Sequence, residues 1–135
     1  MNARSSQGEI IETARAFSEK ERRIAEVLKS EGKRVESLVE AGGAGRFADA
    51  EVDGVETEFK TLETGATNST IKNVISDSVR RGGQARHIIF DARESDLTKP
   101  ETERGLARAG GITRGRVDSV RVIGNAFDLT ATDFR

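Results

Sequence analysis

Cysteine is absent from this 135-residue chain, and so are tyrosine and tryptophan. The first absence excludes disulfides, thiolate metal sites and a cysteine nucleophile. The second removes the usual stacking platforms of single-strand binders, since phenylalanine, in six copies, is the only aromatic. Histidine occurs once, at His87, so any metal must be held by oxygen ligands or by that imidazole. No run approaches the ~20 apolar residues that span a bilayer, and the N-terminus lacks the apolar core of a signal peptide. The net charge is −1, so no global basic field points to nucleic acid. What is present is a soluble, globular composition: 35% hydrophobic, 33% charged, with one proline. The length favours a single domain with its own core.

Apolar spacing predicts a helical region over 9–31, as one helix or as two with a break near Phe17. Ile10, Ala14, Phe17, Ile24 and Leu28 share its stripe, which runs through Glu21. A strand over 33–40 and a glycine-rich loop over 41–46 follow. Two strands, 47–52 and 55–62, then flank Asp53-Gly54, a strong hairpin signal. Ile71, Val74, Ile75 and Val79 define a helix over 68–81, and Ile88-Ile89-Phe90 a strand over 85–93 buried on both faces. A short helix over 98–109, a basic loop over 110–116 and a strand over 117–124 complete the core. The expected fold is a mixed β-sheet flanked by helices in the order α-β-β-β-α-β-α-β, with helix 68–81 as a parallel crossover. One domain covers 1–135: a helical extension (1–18), a core (19–125) and a tail (126–135) that adds little.

The hairpin carries the chemistry. With a two-residue turn, Val52 pairs with Val55, Glu51 with Glu56, Ala50 with Thr57 and Asp49 with Glu58. Alternation puts Ala48, Ala50, Val52, Val55, Thr57 and Phe59 on one side, and Asp49, Glu51, Glu56, Glu58 and Lys60 on the other. Opposed carboxylates destabilise an antiparallel pair by up to ~1 kcal/mol each. A cation between Asp49 and Glu58 would reverse that penalty, and Lys60 would reach a phosphate held by the same ion. The bland alternative is a solvated edge.

Asp49 followed by Glu58-Phe59-Lys60, after a helix with an inward glutamate, resembles the PD-(D/E)xK nuclease core. The blocks "EGKRVESL", "GRFADAEVDGVETEFKTL", "STIKNVI" and "GGQARHIIFDAR" resemble the C-terminal tRNA-nuclease toxin domains of contact-dependent growth inhibition (CdiA) effectors. The likeness covers roughly residues 20 to 125. It implies a catalytic set of Asp49, Glu58, Lys60 and Glu21, with Asp49 and Glu58 holding a divalent metal, Mg²⁺ or Mn²⁺ before Zn²⁺. Ala48 stands where the signature has proline. The implied reaction is phosphodiester hydrolysis, with the ion neutralising phosphate charge and acidifying a bound water. Attack by a ribose 2′-OH, with His87 or Glu21 as base, stays open.

Candidate substrate contacts are Thr61, Gln84, Arg86, His87, Arg114 and Arg116, with Arg80-Arg81 as further cations for phosphates. Strand alternation puts Asp91 within reach of orienting His87. The likeness further implies a cognate immunity protein, and release from a large exported effector into the cytoplasm of a neighbouring bacterium. Two other functions fit the residues: a DNA endonuclease with the same core, and a non-catalytic module whose acidic hairpin docks a basic partner.

Overall fold

The computed structural model describes residues 8–39, 48–80, 86–113 and 115–132. Its first regular element is not a helix. β1 (Glu9–Ile11) lies parallel to β2 (Arg34–Ser37), with Ile10 opposite Val35. The helical spacing of Ile10, Ala14 and Phe17 is therefore coincidental. The expected helical extension is, from residue 9 to residue 11, an edge strand.

α1 (Glu19–Ser30) begins at Ser18, whose side chain accepts from the Glu21 N–H while the Glu21 carboxylate accepts from the Ser18 N–H. This reciprocal cap satisfies two donors that the first turn leaves orphaned. Ile24, Ala25 and Leu28 form its buried stripe.

β3 (Ala50–Val52) and β4 (Val55–Thr61) form the expected hairpin, with Val52 opposite Val55, Glu51 opposite Glu56 and Ala50 opposite Thr57. Asp53 and Gly54 both take positive φ, 51° and 85°, the twist that a two-residue turn between strands demands. α2 (Asn68–Arg80) then crosses to β5 (His87–Asp91), which runs parallel to β4. α3 (Lys99–Thr113) extends through the glycines expected to form a loop, because Ala109 and Thr113 on its inner side are buried. β6 (Ser119–Ile123) is parallel to β5. The tail contributes β7 (Asp128–Ala131), antiparallel to β6, so it closes the sheet instead of adding little.

Spatial order across the seven strands equals chain order, β1 to β7. The expected element order is thus correct within a frame of one extra strand at each end. Two cores form, one per face. Ile24, Ala25 and Leu28 of α1 pack with Val35, Ala50, Phe59, Ile89 and Ile123. On the opposite face Ile71, Ile75 and Val79 of α2 and Leu106 and Ala109 of α3 pack with Ile88, Phe90, Val120 and Val122. Adjacent residues of β5 point to different layers, which explains its uninterrupted apolar run.

α2 and α3 meet at Gly105, where an added Cβ would stand 2.8 Å from the Asn68 carbonyl oxygen and 3.0 Å from the Ile71 Cβ. Gly105→Ala is expected to lower stability by about 1–2 kcal/mol despite its better helix propensity, because backbone must move to admit the methyl. A urea midpoint equal to that of the wild type would contradict this contact.

Candidate active site

Parallel pairing sets the faces of β4. Phe59 is opposite Ile89 and packs under α1, with its ring centroid 6.0 Å from that of Phe17. Glu58 and Lys60 are opposite Ile88 and Phe90 and therefore face the α2–α3 layer. Glu58 is 2% exposed, the one acid among the largest fully buried side chains. Its Oε2 pairs with Lys60 Nζ at 2.9 Å, whereas Oε1 is buried with no partner. Lys60 stays 32% exposed, so its ammonium is anchored at one side and accessible at the other.

Asp49 lies just beyond the β3 ladder. Strict register would set it opposite Glu58, but its N–H donates to the Thr57 carbonyl at 3.0 Å and its Oδ2 accepts from the Phe59 N–H at 2.7 Å. The carboxylate thereby folds against the β4 backbone, within Coulombic reach of Glu58. From the α1 side comes Glu21, whose charge acts on Asp49. Burial is the main force raising the Asp49 carboxyl to about 7; the Phe59 amide opposes it, and the charges of Glu21 and Glu58 add to it. Burial pushes Glu21 the same way but is outweighed by the Arg15 guanidinium and the Ser18 amide, which hold it below its ordinary range. Of the two acids, Asp49 keeps the proton.

Glu21 thus approaches Asp49 from α1, while Glu58 and Lys60 pair with each other on the opposite face. The candidate substrate contacts do not join them. Thr61 lies on the α1 face, where a cavity of about 450 Å³ is lined by Lys20, Arg23, Thr61, Asp91 and Glu94 among others. His87 is also on that face: its Nδ1 is 2.7 Å from Ser119 Oγ and its Nε2 3.8 Å from Asp118. Asp91 does not orient it, because Arg93 holds both Asp91 oxygens, at 2.8 and 2.9 Å. Arg86 is exposed and bidentate to Asp118, and Arg116 is exposed. Gln84, Arg81 and Arg114, like the glycine-rich loop, lie outside the described residues, as does the Arg80 side chain.

Arg15, in the irregular stretch before α1, has no counterpart in the sequence reading. It holds both Glu21 oxygens, at 2.9 and 3.2 Å. No periodicity or motif marks it; only the folded arrangement shows its partners.

The folded protein keeps the Asp49 proton after the unfolded chain, with its carboxyl near 3.8, has released it. Stability at this position is therefore full below pH ~4 and is lost as pH rises through ~7. Asp49→Asn, which retains an acceptor for Phe59, is expected to match wild type near pH 4 and exceed it by on the order of 2 kcal/mol at pH 8. Urea midpoints of the two proteins against pH check this; a constant difference would remove the proposed protonation.

Comparison with known proteins gives a consistent fold. The solved CdiA-CT/CdiI toxin and immunity complex from Burkholderia pseudomallei contains a chain that superposes with a TM-score of 0.68 at 17% identity, covering 91% of this chain and 98% of that one. No curated protein matches. The family model described as the contact-dependent growth inhibition CdiA C-terminal domain matches residues 46–129, from just ahead of the hairpin into β7. That span exceeds half of the chain, and the protein belongs to the CdiA C-terminal domain family.

Proposed function

We propose that this chain is a nuclease toxin that hydrolyses a phosphodiester bond of tRNA, with Asp49, Glu58 and Lys60 as its catalytic residues. The observation that carries the reading is Glu58: a fully buried carboxylate with one oxygen on the Lys60 ammonium and the other unpartnered. Burying a charge with an empty acceptor costs stability unless something else fills it, so the arrangement serves a bound group better than it serves the fold.

A divalent cation fits that description. Among the described residues no three acidic or imidazole groups stand together as a metal site. Asp49 and Glu58 supply a two-carboxylate, all-oxygen donor set, which suits Mg²⁺ or Mn²⁺ completed by water and substrate phosphate. When bound, the ion would supply charge neutralisation at the phosphate and acidify a nearby water. The protein's own groups do the rest. The Phe59 amide holds the Asp49 carboxylate against β4. Glu58 fixes the Lys60 ammonium, whose charge then meets the negative charge that develops on the phosphoryl oxygens.

The tRNA assignment is supported by likeness of the "EFKTL" block, helix α2 and the strand after it to tRNA-nuclease members of the family. By the same likeness, and because the Burkholderia relative was solved with its immunity protein, a cognate immunity protein neutralises this chain. The domain acts inside a target bacterium after delivery from a surface effector. No helix among the described residues is long and apolar enough to cross a membrane.

Incubation with total tRNA and, separately, plasmid DNA tests the reading. Cleaved tRNA is expected with Mg²⁺ or Mn²⁺, and Lys60→Ala should reduce the rate about 10²–10³-fold with an unchanged circular dichroism spectrum. Nicked plasmid beside intact tRNA would transfer the activity to DNA, and an unaffected Lys60→Ala would leave only a docking module. Independently of activity, Mg²⁺ should raise the melting temperature of wild type and leave that of Glu58→Gln unmoved.

A further inference from the structure

We propose that Arg15 is the positioning residue of this site, setting Asp49 for the reaction; the inference rests on the nuclease reading above. Asp49 needs such a device. The β3–β4 ladder begins at Ala50; beyond it, backbone hydrogen bonds to Thr57 and from Leu38 hold the Asp49 main chain, while its carboxylate is set by the Phe59 amide and by neighbouring side chains. Asp49 is also the second described residue after the segment 40–47.

Arg15 bridges the backbone of Leu38 and that of Asp49. Its Nε donates to the Leu38 carbonyl at 2.6 Å, where the chain leaves β2. Its Nη2 donates to the Asp49 carbonyl at 3.2 Å, just ahead of β3. Leu38 N–H donates to the same Asp49 carbonyl at 3.1 Å, so the guanidinium closes a ring over that pairing. The remaining fork takes Glu21 bidentately and brings Nη2 to 3.8 Å from Asp49 Oδ1. Arg15 therefore touches the backbone of Asp49 and places a cation between Glu21 and the Asp49 carboxylate. Without it, Asp49 would face an uncompensated Glu21, in addition to Glu58, whose counter-charge is Lys60.

The fork itself is held from behind. The guanidinium lies 5.6 Å over the Phe17 ring, and Ser37 Oγ accepts from the Arg15 N–H at 3.3 Å while donating to its carbonyl at 2.7 Å. Ser37 is buried, and so is Phe17, which packs against Phe59 of β4. One connected set of contacts thus runs from the core through Arg15 to Asp49. Only a planar, multi-donor cation satisfies Leu38, Glu21 and Asp49 together; an ammonium concentrates its donors at one point.

A merely structural Arg15 would stabilise the α1 entrance through Glu21 and nothing more. The two roles separate in kinetics on the full chain with tRNA as substrate. Arg15→Met keeps the aliphatic stem on Phe17 and removes the fork. Its kcat is expected to fall about 10–100-fold in folded protein, with KM little changed, as misplacement of a catalytic group does. Low-millimolar guanidinium should restore part of that rate and none of the rate lost in Lys60→Ala. Ser18→Ala, which removes the other half of the α1 cap, should lose stability and keep kcat. If Arg15→Met does not fold, Arg15→Lys carries the same expectation. A folded Arg15 variant with wild-type kcat, or a loss that follows unfolding and ignores guanidinium, overturns the proposal. An active Lys60→Ala overturns instead the nuclease reading beneath it.

Discussion

Taking a carboxylate out of water costs several kcal/mol unless a counter-charge meets it, and Glu58 is out of water. The neighbouring structure is organised by that constraint. Lys60, two residues along the same strand, supplies the counter-charge from the same face. Asp49 cannot add a second free charge beside it, and its carboxyl is accordingly raised by burial and by its acidic neighbours. Glu21, the third acid, is held below its ordinary range by Arg15, which grips both its oxygens, and by the Ser18 amide. Three acids and two cations thus form two groups, Glu58 with Lys60 on β4 and Asp49 with Glu21 and Arg15 beside α1.

The sheet divides this arrangement. Glu58 and Lys60 belong to the α2–α3 face, Glu21 and Arg15 to the α1 face, and Asp49 stands at the strand margin where the two can interact. β3 makes this possible by ending its ladder at Ala50 while β4 continues to Thr61. His87 and Thr61, although adjacent in sequence to site or basic residues, are turned to the α1 face by simple alternation.

Legibility followed the range of the interactions. The Asp53-Gly54 turn is local, and its register from Val52 to Thr57 could be counted outward from it. Helix α2 announced itself by period, whereas the expected opposition of Asp49 and Glu58, one step past the observed register, gives way to Asp49 folding against the Phe59 amide. β1 misled because three residues are too few for periodicity to act on, and its partner is 25 positions away, at Arg34. The Ser18-x-x-Glu21 cap was a start signal present in the sequence and would have corrected that reading. β7 carries no stronger pattern than the loop before it; it is a strand because β6 offers an edge. Arg15 lay beyond reach altogether, since its role depends on Leu38 and Asp49 meeting in space.

The strand order itself has a kinetic meaning. A sheet whose spatial sequence repeats its chain sequence never requires a strand to be threaded between two that are already paired. Every closure spans one intervening segment, so the entropy of each step stays small and the sheet can grow outward from the hairpin as a zipper does. Assembly by successive addition is a short route to the complete sheet.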